Sequence, residues 1–256
     1  MNVKNTITIT YGDQAENHAG MQKIGKIAKN GLSVDDLKKA KEKFENIGCE
    51  CKLINLDNYI NINVDPASIL IITDGVNKLL GNESADNMFF EQNKLNTDKK
   101  AFMYGRVVNK HVRHNLCFGN IKQEPDYCNK KGRIICWNDV PITKKLREKI
   151  FEYFEEKTKN LTAEGNYYYD INKCYIGYHG DSERKIVIAA RLGASFPLYY
   201  RWFYDNKPVS ETIKFNINHG DIYVMSEKAT GNDWKKRNLY TLRHAAGFEK
   251  NIKIKK

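Results

Sequence analysis

Residues 175–203 read YIGYHGDSERKIVIAARLGASFPLYYRWF. Three short runs rich in β-branched and aromatic residues, 175–179, 185–192 and 196–203, are separated by polar or glycine-bearing breaks, which is how strands and turns are written. The same grammar extends in both directions. Runs at 112–118, 133–137 and 166–170 precede it, and runs at 213–217, 221–225, 239–244 and 252–255 follow, with turns at Gly193, Asp205-Asn206 and His219-Gly220. A single helix interrupts the series over 142–157, carrying Leu146, Ile150, Tyr153 and Phe154 along one face. Many short strands and one amphipathic helix fit a double-sheet jelly roll backed by a helix.

Upstream the pattern is different. TITIT at residues 6–10 has the period of two of a half-buried strand, and Gly12-Asp13 breaks it. Over 14–28, Ala19, Met21, Ile24 and Ile27 approach helical spacing; Ser33 then caps a second helix through Val34, Leu37, Ala40 and Phe44 that Gly48 ends. Strands are expected at 51–56 and 68–73, the latter (SILIIT) apolar throughout as a buried parallel strand is. Asp74-Gly75 follows it without a phosphate-cradling glycine pattern and reads as a structural turn. The polar run LNTDKK around residues 96–100 marks a boundary. The expected class is therefore α+β: a small α/β domain of unassigned role at 1–98, then a jelly roll at 99–256.

Charge separates the same two parts. The first hundred residues hold 13 Lys and no Arg against 14 acids, whereas 101–256 hold 29 Lys and Arg against 17, within a net charge of +11. The basic part is the one suited to phosphates or other anions. Lysine-rich usage also keeps the product of a large DNA virus or another AT-rich genome soluble. Six cysteines form no C-x-x-C pair, and polar residues follow Met1, so free thiols in a cytoplasmic or nuclear setting are expected. Cys49-x-Cys51 reads as strand packing before metal binding. No apolar run is long enough to span a bilayer.

His179 and Asp181 carry the chemistry. An imidazole and a carboxylate two apart on an extended segment point the same way, and a distant second His completes one face of an octahedral Fe(II) site. An iron oxygenase needs that arrangement because the opposite face must hold a 2-oxo acid and O2. His219 and His244 compete for the third place. His219 precedes Gly220-Asp221, a turn signal, while His244 is followed by Ala245-Ala246-Gly247, which leave room beside a metal. His244 is preferred.

Residues 176–184 (IGYHGDSER), 189–196 (AARLGASF) and 219–225 (HGDIYVM) together resemble the core of AlkB-like 2-oxoglutarate/Fe(II) dioxygenases, over roughly residues 101–256. The resemblance implies a double-stranded β-helix, Fe(II) on His179, Asp181 and His244, and 2-oxoglutarate chelated to the iron. It also implies that the Asn166-Tyr167-Tyr168-Tyr169 strand contributes Tyr168 or Tyr169 to the co-substrate pocket. One departure stands out. The family carries two arginines on a strand after the last His, and no Arg follows His244 here. Lys253 and Lys255, on one side of an alternating strand, are the cations left to hold the distal 2-oxoglutarate carboxylate.

For substrate, the basic half and the aromatics Tyr199, Tyr200, Trp202, Phe203 and Tyr204 point to nucleic acid, with Arg106, Lys110, Arg113 and His114 as a second basic stretch. YYRWFY also alternates as an ordinary sheet strand does, and packing is the favoured reading of those aromatics. Glu183 and Arg184 either orient the ligands or pair with one another at the surface. Oxidative demethylation or hydroxylation of nucleic acid leads; hydroxylation of a protein or small molecule, and a catalytically idle nucleic-acid-binding module, are the alternatives.

Overall fold

The computed structural model describes residues 4–252. In chain order, β1 (Thr6–Gly12) is followed by a small ribbon of β2 (Gln14–Glu16) and β3 (Lys23–Gly25), then α1 (Val34–Asn46), β4 (Cys51–Asn55) and β5 (Ser68–Ile72). Helices α2 (Gly75–Leu80) and α3 (Ser84–Asn93) lead to the hairpin β6 (Lys100–Met103) and β7 (Arg106–Asn109). Next come β8 (His114–Gly119), β9 (Ile134–Cys136) and α4 (Pro141–Phe154). The remainder is strand: β10 (Thr162–Tyr168), β11 (Tyr175–His179), β12 (Val187–Gly193), β13 (Phe196–Tyr204), β14 (Lys207–Pro208), β15 (Ile213–Ile217), β16 (Ile222–Met225) and β17 (Thr241–Gly247). The chain is strand-rich α+β.

Two sheets carry the architecture. The larger runs β4-β5-β16-β12-β1-β10-β8-β9, and the smaller runs β11-β17-β13 with β14 and β15 on the far side of β13. Strand alternation divides the large sheet into two faces. Ile7, Ile9 and Tyr11 of β1, Ile188 and Leu192 of β12 and Val224 of β16 join Phe44, Phe89, Leu146 and Ile150 from the helices in one core. Val187, Ala189, Tyr223 and Ile69 point the opposite way and meet Leu198, Tyr200, Trp202 and Leu242 of the smaller sheet in a second.

A division at residue 98 is not how the chain packs. β1, β4 and β5 lie in the large sheet among strands from beyond residue 100, and β1 is paired along both edges, to β10 and β12. TITIT is accordingly buried on both faces, not half-buried: isoleucines meet helices, and threonines face the smaller sheet. β5 runs antiparallel to both neighbours, so its unbroken apolar character comes from cover on two faces and not from parallel pairing. Residues 14–28 form the β2–β3 ribbon in place of the expected helix; the spacing of Ala19, Met21, Ile24 and Ile27 loses to Asp13, whose carboxylate accepts from Ala28, Lys185 and Ile186 N–H groups and ties the segment back. The Ser33 helix is capped as read, with reciprocal Ser33 and Asp36 hydrogen bonds. Asp74, in the left-handed region, opens α2 and accepts from Asn77, a structural turn. The run at 252–255 falls largely outside the described residues.

Because β1 supplies a central strand, Ile9→Ala should destabilise the whole protein by about 2–5 kcal/mol in urea titration. A chain beginning at residue 14 should fail to fold cooperatively.

Candidate metal centre

Register brings the two histidines together. β11 pairs antiparallel with β17, and His179 lies directly opposite His244 after an irregularity following Ile176. The rings meet edge to face, with centroids 4.4 Å apart and planes at 61°. Asp181 arrives by a different route. The chain leaves β11 through Gly180, where a Cβ would stand 2.0 Å from the Gly231 carbonyl oxygen, so only glycine permits this approach. The Asp181 N–H then donates to the Thr230 carbonyl at 2.9 Å, and the Asn232 amide donates to the carbonyls of Asp181 and Arg184. The glycine of His-Gly-Asp is thus a packing requirement.

His179 Nδ1 lies 2.8 Å from the Gly177 carbonyl, a contact that requires the proton on Nδ1 and leaves Nε2 with a free lone pair. That Nε2 is 3.6 Å from Asp181 Oδ1, and His244 Nε2 is 3.8 Å from the same oxygen. Two donors at right angles on one ion, each about 2.1 Å from it, lie about 3 Å apart, so a small contraction closes the set. Among the described residues this is the one group of three His, Cys, Asp or Glu side chains whose ligand atoms, all within 4.8 Å of one another, could hold a metal ion. His219 is elsewhere: its Nδ1 accepts from the Gly193 N–H, and its Nε2 is 3.3 Å from Asp86. Cys49 and Cys51 are free thiols and join no such group.

Burial sets the protonation states. It pushes His179 down to about 4 and His244 well below the usual histidine range, so both imidazoles are neutral ligands. It pushes Asp181 up to about 8, against the pull of Arg184. Arg184 is itself buried, and its guanidinium bonds to Glu164 and Glu183; it is an internal clamp, not half of a surface pair. Three carboxyl groups, Asp181, Glu183 and Glu164, therefore surround one guanidinium, an imbalance that a divalent cation corrects. The donor set, the neutral imidazoles and this imbalance all fit such an ion.

The centre opens into a cavity of about 610 Å³ between the sheets, whose lining includes Thr8, Asn166, Tyr168, Arg191 and Tyr223. Tyr168 is one of the lining residues. Tyr169 is not: alternation turns it outward, where it stacks on His114 and donates to the His111 carbonyl. Tyr199, Tyr200, Trp202 and Phe203 are core residues, with the Trp202 indole donating to the Leu56 carbonyl. Lys253 and Lys255 lie outside the described residues. Arg191 escaped the sequence reading. It is 1 % exposed, its Nε and one terminal nitrogen have no partner, and it lies directly across the strands from Thr8, whose hydroxyl is also buried and unpartnered. The available signal was a lone arginine at an inward position of an otherwise apolar strand.

No protein-family model matches the chain. It is 48% identical over 257 residues to Uncharacterized protein R156 of Acanthamoeba polyphaga mimivirus, covering 98% of this chain and 99% of that one. The relative comes from a giant virus, in line with the viral source expected from lysine-rich usage. No described helix is long and apolar enough to cross a membrane.

Between about pH 4, where an unfolded aspartate ionises, and pH 8, the ion-free folded protein holds a proton on Asp181 that the unfolded chain releases. Its contribution to stability is lost as pH rises through that window, and a divalent ion must displace the proton below pH 8. Co(II) should therefore raise Tm more at pH 8.5 than at pH 6 in differential scanning calorimetry. Equal shifts would remove Asp181 from the ligand set. Gly180→Ala should abolish the Co(II)-dependent shift while leaving most of the ion-free stability.

Proposed function

The chain belongs to one family with the mimivirus protein R156, and from that premise we propose that it is an Fe(II)/2-oxoglutarate-dependent dioxygenase of AlkB-like type acting on nucleic acid. The observation that carries this reading is the trio His179, Asp181 and His244 sharing one cavity with the unpartnered guanidinium of Arg191. Two neutral imidazoles and one carboxylate on one face are the ligand set of non-haem iron oxygenases, and leave the remaining positions open. When bound, Fe(II) supplies the redox chemistry by which 2-oxoglutarate and O2 give succinate and CO2 while a substrate C–H becomes C–OH. On an N-methyl group the product is a hemiaminal, which releases formaldehyde.

The protein's own groups bind and orient. Arg191 and the Thr8 hydroxyl offer adjacent donors to the distal carboxylate of 2-oxoglutarate, with Tyr168 on the neighbouring β10 as a further wall of that pocket. His179 is held in its ligating tautomer by the Gly177 carbonyl, and Asp181 is held by Thr230 and Asn232. Val187, Leu198 and Met225 add apolar surface to the cavity wall beside these groups.

Topology supports a double-stranded β-helix in which the closing strand has changed origin. From β10 the chain crosses between the sheets, with β10 and β12 in the large one and β11 and β13 in the small one; β14 and β15 stay in the small sheet before β16 returns to the large one and β17 to the small. A strand following β17 would next enter the large sheet, and the slot between β10 and β12 is filled by β1. The strand that bears the family's arginine pair is thereby replaced by one bearing threonines toward the cavity. Arg191, on the adjacent strand β12, restores the missing positive charge.

Succinate release, assayed across methylated oligonucleotides, methylated peptides and no substrate, tests both chemistry and substrate class. His179→Ala, Asp181→Ala or His244→Ala should reduce it to background without unfolding the chain. Arg191→Met should raise KM for 2-oxoglutarate by about 100-fold or more while Co(II) binding persists, the expected loss for a buried charge partner. An unchanged KM would remove Arg191 from the co-substrate site.

A further inference from the structure

The β6–β7 hairpin projects from the sheets with a tyrosine at its tip. Tyr104 and Gly105 form its two-residue turn, with φ of 52° and 75°, both left-handed. Asn-Gly or Gly-Gly suits such a turn; a tyrosine there meets a steric penalty between its Cβ and carbonyl oxygen. Tyr104 is also 89 % exposed, the highest value among the exposed large hydrophobic side chains. Neither turn formation nor core burial accounts for an aromatic at this position.

Its surroundings are cationic. Residues 99–123 contain Lys99, Lys100, Arg106, Lys110, Arg113 and Lys122 and no Asp or Glu. The hairpin borders a groove of about 850 Å³ lined by Lys100, Tyr104, Arg106, His111 and Arg113 among others. Arg113 and His18 line both this groove and the cavity of the candidate metal centre, so the two adjoin. Lys110 has a structural task within it, donating to Asn17 Oδ1 at 2.7 Å and Asn115 Oδ1 at 3.0 Å. Lys100 and Arg106 are exposed on the hairpin itself.

We propose that this hairpin is a nucleic-acid contact: phosphates follow the groove along Lys100, Arg106 and Arg113 toward the cavity, and Tyr104 stacks on a base beside the one presented to the metal centre. The inference rests on the nucleic-acid oxygenase reading and gives it a second binding element. Charge alone would also attract an acidic peptide, but only a ligand with flat apolar faces explains a solvated aromatic at the end of a basic groove.

The test is fluorescence anisotropy with a fluorescein-labelled single-stranded 12-mer, using the full chain and its Tyr104→Ala, Tyr104→Phe and Arg106→Ala variants. Tyr104→Ala should weaken binding by about 10-fold, the usual loss on removing one base–aromatic stack, and Tyr104→Phe should restore it to within about twofold. Arg106→Ala should weaken binding and lower its salt dependence by about one ionic contact. Wild-type affinity in Tyr104→Ala overturns the proposal. So does equal displacement of the oligonucleotide by a poly-glutamate peptide, which would assign the groove to an acidic protein. Succinate release from wild type is read in parallel with methylated oligonucleotide, methylated peptide and no substrate. If wild type releases none with any of these, the oxygenase reading fails while anisotropy still decides the hairpin.

Discussion

Pairing of β1 along both of its edges is the constraint on which the rest of the molecule hangs. A strand from the extreme start of the chain lies between β10 and β12, and its backbone satisfies the polar edges of both. Without it those strands would present open edges in the middle of a sheet. Its alternation then does two things at once. Ile7, Ile9 and Tyr11 close the helix-side core, and Thr8 and Thr10 line the cavity that holds the metal ligands. The same pairing sets Thr8 against Arg191 on one side and Asn166 on the other, so the wall of the site is specified by strand register.

The candidate metal centre shows how few contacts are needed to converge three residues spread over 66 positions (179 to 244, counted inclusively). One register, β11 against β17, places the histidines; one close approach, Gly180 against Gly231, places the carboxylate. Burial does the electrostatic work after that. It holds both imidazoles neutral and leaves Asp181 reluctant to ionise alone, so the folded protein is short of positive charge at one point. Arg184 answers only part of that demand because Glu164 and Glu183 share it.

The resemblance to AlkB-like oxygenases left one gap, an arginine expected after the last His. A tail lysine looked like the nearest substitute because sequence order was the only guide to proximity. Lys253 and Lys255 lie outside the described residues; within those described, Arg191, paired across the strands with Thr8, lines the same cavity as His179, Asp181 and His244. The aromatic run YYRWFY resolved the other way: its alternation was that of a sheet strand, and four of its aromatics are core. The most exposed aromatic, Tyr104, lies instead in a segment whose sequence drew attention only for its charge.

Periodicity and local chemistry made much legible. Most strands from 112 to 247, the helix beginning near 142, the Ser33 cap and the grouping of His179, Asp181 and His244 could be picked out, because each depends on side-chain alternation, capping geometry or donor chemistry; the two-residue strand β14 was too short to leave such a signal. Tertiary structure alone decided that residues 6–12 belong to the same sheet as residues 162–193, that β5 is antiparallel, that residues 14–28 form a ribbon, and that Arg191 faces the cavity. The reason is physical. A strand's period of two says which residues share a face, but the choice of neighbouring strand is made by hydrogen bonding and burial between segments distant along the chain, and no local window contains both partners.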